Sequence, residues 1–130
     1  MIKKLIISLL ILVALNYSAQ NNKAIMPEVF YRCWTASFEE DAESANVFET
    51  YRPCDFKNFK VAMFRRRMEF FKNGKCKWLQ LAANDAHYFI ECVWIYKRGK
   101  IFIKNEKEET LFKFKIEHLA HNRMNIVGID

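Results

Sequence analysis

The sequence has only three glycines and two prolines in 130 residues. It carries no low-complexity segment and no internal repeat, which leaves one domain as the simplest organisation. No CxxC pair exists among its four cysteines, at 33, 54, 76 and 92, so the usual closely spaced zinc-binding pattern is excluded. No apolar run approaches the roughly 20 residues that cross a bilayer. No Ser or Cys stands in a nucleophile elbow or a Cys-His context, so Ser37, Ser44 and Asp85 carry no catalytic pattern. His87, His118 and His121 do not amount to three evident ligands, and the acidic run Glu39–Ser44 lacks the Asp/Asn/Gly spacing of a calcium loop. These absences point away from an enzyme, a metal site and a cofactor. They favour exposed turns for the histidines and a solvated turn for the acidic run.

The N-terminus has the order of an export signal. Lys3 and Lys4 precede an apolar run, Leu5–Leu15, interrupted only by Ser8, and Asn16-Tyr17-Ser18-Ala19 forms a small, polar exit. Cleavage after Ala19 is expected, leaving a single domain over 20–130 that is soluble in the periplasm or outside the cell. No cysteine lies near that point to take a lipid anchor. Loss of Lys3 and Lys4 lowers the net charge from +6 to +4. So mild a balance does not describe a nucleic-acid binder, which gathers its charge on one face; attraction to anionic envelope surfaces fits it equally well. Four cysteines in an exported chain permit disulfides.

Phe64–Lys104 is the stretch around which the rest is arranged. Its aromatic-rich runs are separated by Asn73-Gly74, Asn84-Asp85 and Arg98-Gly99, and two of these supply the glycine that a hairpin needs at positive φ. Odd-length loops at the first two turns and a two-residue turn at the third give one consistent inner face. That face holds Arg66, Met68, Phe70, Cys76, Trp78, Tyr88, Ile90, Cys92, Trp94, Tyr96, Ile101 and Ile103. Leu111–Glu117 then alternates, with Phe112, Phe114 and Ile116 inward, and Arg123–Ile129 closes the chain with Met124 and Ile126 inward. Upstream, Val29–Glu40 reads as a first strand with Arg32, Trp34, Ala36 and Phe38 on one face. Val47–Tyr51 reads as a second strand, ended by Pro53. Gln20–Pro27 is expected to fray, and His118–Asn122 to turn. The expected fold is all-β: an antiparallel up-and-down meander of seven or eight strands closing into a small barrel, with no convincing amphipathic helix.

Trp34, Glu39-Glu40, Tyr51-Arg52-Pro53, Arg65–Arg67, Met68-Glu69-Phe70, Asn73-Gly74, Asp85 and Trp94 form a pattern that resembles the small exported lipocalin-like proteins of Bacteroidetes-type bacteria. The resemblance spans about residues 30–128. Arg32 stands where lipocalins carry glycine, two positions before the first Trp. The resemblance implies fold and export, and no substrate.

Candidate sites follow from the inner face. An unpaired buried guanidinium is costly, so Arg66 needs a carboxylate from the protein or from a ligand. With Trp78, Gln80, Tyr88 and Trp94 it is the candidate site for a small apolar or amphiphilic ligand; the alternative for Arg66 is an internal pair with Glu39 or Asp85, or a place on the rim. Packing of the aromatic face as a filled core is favoured over a cavity. Cys76 and Cys92, on facing strands with equal parity, form one candidate disulfide, and Cys33 and Cys54 a second. The main alternative function is an envelope protein-interaction domain, with Phe56, Lys57, Phe59 and Lys60 as contacts on an irregular loop.

Overall fold

The computed structural model describes residues 25–41, 48–81 and 86–129, with Gln80 and Leu81 described by backbone alone. Eight antiparallel strands close into a barrel. They are β1 (Cys33–Ala36), β2 (Glu49–Pro53), β3 (Arg67–Phe70), β4 (Lys75–Leu81), β5 (His87–Lys97), β6 (Lys100–Lys104), β7 (Thr110–Ala120) and β8 (Arg123–Gly128).

The expected registers are found. Met68 faces Trp78 and Phe70 faces Cys76. Tyr96 faces Ile101 and Trp94 faces Ile103. Arg98 and Gly99 both adopt positive φ, 55° and 77°, as a tight two-residue turn between right-twisted strands demands. The charged turn at Asn105 manages without glycine. Its side-chain oxygen accepts from Lys107 N and Glu109 N at 3.0 and 2.9 Å, and Glu108 takes φ 61°.

Around the barrel the strands run β1-β2-β8-β7-β6-β5-β4-β3. β3–β8 is a six-stranded meander. The β1–β2 hairpin closes it, with β1 against β3 and β2 against β8. The connection 54–66 must therefore cross the outside of β1. That crossing explains why Thr35, on the outward side of β1, is nonetheless buried.

Several local expectations need correction. Val29–Phe30 is not strand: Glu28–Phe30 is a 3-10 turn that plugs one end of the barrel, with Phe30 stacked on Phe70 at 4.3 Å. Met26 does not fray, because its N–H is held by the Tyr31 hydroxyl at 3.0 Å. Arg32 closes the same end, its guanidinium over the Trp34 ring at 5.5 Å and bonded to the His121 carbonyl at 2.6 Å. β1 stops at Ala36, and Phe38–Asp41 forms a single helical turn, α1, which leaves Phe38 half-exposed rather than inward. Its acidic residues are not a solvated turn. Glu39 pairs with Arg65 at 2.8 Å, Glu40 with Arg52 at 2.5 Å, and Asp41 accepts from Thr50 N at 2.6 Å. β7 continues through His118 to Ala120, with a register shift between Ile116 and His118, so only His121 and Asn122 turn. Asn84-Asp85 and Val47 lie outside the described residues.

Both disulfides pair as expected. Cys33–Cys54 spans 5.4 Å between Cα atoms and Cys76–Cys92 spans 5.0 Å, the latter between directly opposed residues.

Candidate ligand site at the open end

The 3-10 turn closes the end where β1 begins. The opposite end is framed by Ala36, Glu49, Arg67, Leu81 and His87, which start or finish their strands there. Between the two ends the interior is filled. Trp34, Met68, Phe70, Phe114, Met124 and Ile126 are all buried. This matches the expectation of a packed core, since the side chains of a barrel this small fill it.

Arg66 precedes β3, and strand alternation through Met68 turns it inward at the open end. Its guanidinium lies over Phe112 at 4.5 Å and over Trp78 at 5.3 Å, and those two rings are 5.4 Å apart. A cation against two ring faces is held by their negative quadrupoles without surrendering its N–H donors, which lie in the guanidinium plane. Among the described residues its ionic contact is with Glu49, at 3.6 Å, longer than a hydrogen bond. The alternative partner Glu39 belongs to Arg65 instead; Asp85 is outside the described residues. Arg66 is 34 % exposed and Glu49 46 % exposed, so the pair stands at the rim and not in the dry interior. The Glu49 Oε2 atom is itself shielded from solvent without a hydrogen-bond partner.

Beneath the pair lies Tyr51. Burial pushes its phenol far above its ordinary value; the neighbouring Arg66 cation pulls the other way, and Glu49 adds to the rise. The phenol is therefore a neutral floor to the site at any physiological pH. The mouth brings together a guanidinium, two ring faces and one carboxylate over a buried phenol.

The structure divides the expected ligand set. Arg66 and Trp78 come together. Tyr88 keeps its inward parity, but at the rim it is half-exposed. Trp94 is corrected: it sits at the closed end, 5.2 Å from Phe30 and 6.2 Å from Phe70, with its indole N–H donated to the Phe71 carbonyl at 2.8 Å. It lies four positions along β5 from Ile90, the partner of Trp78, toward the closed end and away from the mouth. Nothing is described of the Gln80 side chain. The structure adds Phe112 and Glu49 to the site. Phe112 lay on the inward face already read from alternation. Glu49 shares parity with Tyr51 and could have been found by extending β2 backward.

The interaction loop is also redrawn. Phe56 and Phe59 are not an open aromatic patch: they pack together at 5.1 Å and are covered by Arg52 and Arg65, at 5.1 and 4.8 Å. Lys57 and Lys60 are exposed, as are their apolar neighbours Val61 and Met63.

Among the described residues no helix is long and apolar enough to cross a membrane. In comparison with known proteins, no family model, no curated protein and no solved structure matches this chain. Fold and site therefore rest on the chain's own geometry, which defines a small, disulfide-bonded, eight-stranded antiparallel barrel with Arg66 at its open end.

Proposed function

We propose that this is an exported, non-catalytic binding module of lipocalin-like type, whose open end takes the anionic head of a small amphiphile on Arg66. The observation that carries the reading is the guanidinium lying over both Phe112 and Trp78, beside the buried Tyr51 phenol, with a long ionic contact to Glu49. A carboxylate or phosphate-type head can accept two parallel N–H bonds from such a guanidinium, which Glu49 at 3.6 Å does not. The filled interior argues for a short or planar apolar part lying against Trp78, Phe112 and Tyr88, not a long chain threaded down the barrel.

The test is the native mass of the protein recovered from its export pathway without reductant. A reproducible excess mass, lost on unfolding and absent from an Arg66→Gln variant, supports the reading. A bare mass from wild type, with no amphiphile in a mixed extract protected by it, sinks it.

One observation favours a second reading as an envelope interaction domain. Phe89, Val93 and Ile95 stand half-exposed in a row on the outer face of β5, as a strand-docking partner would use them. The same bare mass would turn attention to that face.

A further inference from the structure

The most exposed large apolar side chains near the mouth sit at one place. Val61 is fully exposed and Met63 is 91 % exposed. Both lie where the crossover connection reaches the open end. Arg65 fixes that position by donating to the Lys60 carbonyl at 2.5 Å and to the carbonyl of Ala36, the last residue of β1, at 3.0 Å. On the other side of the pair, Phe64 packs edge-on against His87, the first residue of β5, at 5.2 Å. Phe38, Tyr88 and Phe89 stand half-exposed on the same rim.

The connecting segment itself carries charge of one sign. Between Asp55 and Glu69 the chain carries Lys57, Lys60, Arg65, Arg66 and Arg67 and no acidic residue. Lys57 and Lys60 are exposed. Of the acidic groups described on the rim, Glu39 is paired with Arg65 and Glu49 stands beside Arg66, while Asp41 accepts from Thr50 N.

We propose that the open end docks on an anionic lipid surface, with Val61 and Met63 entering the boundary between headgroups and acyl chains and Lys57 and Lys60 on the anionic heads. Two apolar side chains projecting into water beside lysines match a soft interface that has no shape of its own. Apolar insertion and electrostatic attraction add at such an interface, as they do for amphipathic surface segments. A protein partner is the other occupant of such a patch, and the vesicle experiment below separates the two. The inference goes beyond ligand binding and does not depend on it: the mouth would meet the membrane whether loaded or empty.

The experiment is co-sedimentation of the exported protein with phosphatidylcholine vesicles, with and without phosphatidylglycerol. Expected is binding at least about tenfold tighter to the anionic vesicles, weakening as salt is raised. The paired variant Val61→Asp with Met63→Asp should lose about tenfold or more, and Lys57→Gln with Lys60→Gln should also weaken binding. All four positions are on the surface, and unchanged circular dichroism checks the fold of each variant. Lys97→Gln with Lys100→Gln removes the same charge at the closed end and should leave binding unchanged. The proposal is overturned if wild type stays in the supernatant with both vesicle types, or binds both equally. It is equally overturned if the Asp pair binds like wild type, or if the closed-end pair weakens binding as much as Lys57→Gln with Lys60→Gln. The native mass reports on the ligand separately, so either reading can fail alone.

Discussion

Glu40 grips Arg52 with both carboxylate oxygens, at 2.5 Å to Nη2 and 2.8 Å to Nε. The Ser37 hydroxyl donates to the same carboxylate at 2.6 Å. This knot fixes α1 to the outward side of β2 and so anchors one wall of the mouth. The Arg52 hydrogen bonds lower the Glu40 pKa from 4.5 to about 2, against the opposing effect of partial burial.

A carboxylate with a lowered folded-state pKa stabilises the fold above its unfolded pKa, and that contribution is lost as pH falls toward the folded one. The window here runs from pH 4.5 down to about 2. Because the side chain is about a third exposed, solvent screening reduces the contribution to about 1–2 kcal/mol. Glu40→Gln should lower stability at neutral pH by that amount and flatten the acid limb in this window, read by urea unfolding at several pH values. An unchanged acid limb would assign acid sensitivity elsewhere.

Each disulfide closes a short loop, with sequence separations of 21 and 16. On loop-closure grounds each contributes about 3 kcal/mol. The unfolded, non-reduced protein should show no free thiol, and reductant should lower the midpoint of thermal unfolding. Four free thiols would contradict both bridges.

The assignment of Trp94 to the core and Trp78 to the mouth separates their mutants. Trp94→Ala removes a 5 % exposed side chain packed on Phe30 and Phe70 and should cost about 3–5 kcal/mol. Trp78→Leu should cost less, and its loss should couple to Arg66→Met in a double-mutant cycle by about 0.5–2 kcal/mol. Chemical denaturation of the four proteins measures both, and a zero coupling would mean the cation does not rest on that ring.

Gly99 and Gly128 make a matched pair. Gly99 holds φ 77° with open space around it, so Gly99→Ala meets no clash and is penalised by backbone alone, about 1–2 kcal/mol. A Cβ at Gly128 would meet Phe112 at 3.8 Å, ordinary contact, and the backbone there has no such strain. Gly128→Ala should be neutral or slightly stabilising. Thermal unfolding of the two variants distinguishes them.

The meander was legible because its side-chain period is two and its turns carry Asn-Gly and Arg-Gly, so Met68, Cys76, Trp94 and Ile103 fell on one face without reference to the rest. Both cysteine pairs followed from that parity and from proximity to Pro53. Less legible were features fixed by tertiary contact. Alternation across Arg32–Phe38 could not reveal that Ser37 would start a helical turn, because its reward is the ion pairs of Glu39 and Glu40 with Arg65 and Arg52, residues distant in sequence. Nor could it distinguish the ends of one inward face, which is why parity alone places Trp94 with Arg66. The swapped place of the β1–β2 hairpin leaves no local trace, since the chain reads the same whether β2 neighbours β3 or β8.

That swap has a mechanical meaning. Cys33–Cys54 lies within the β1–β2 hairpin and its adjoining turn, and Cys76–Cys92 within the β4–β5 hairpin. Neither bridge spans the two seams where the hairpin meets β3 and β8. The barrel is thus two separately stapled pieces, and the seams are held without a covalent cross-link, by backbone hydrogen bonds, packed side chains and polar contacts such as Asn125 Nδ2 to Thr50 Oγ1 at 3.0 Å and Arg65 to Glu39 at 2.8 Å. The hairpin can lift away as a stapled flap without any thiol chemistry, so amides bridging β1–β3 and β2–β8 should exchange with solvent together and before those between β4 and β5. Hydrogen exchange in which the β4–β5 amides opened first would refute this.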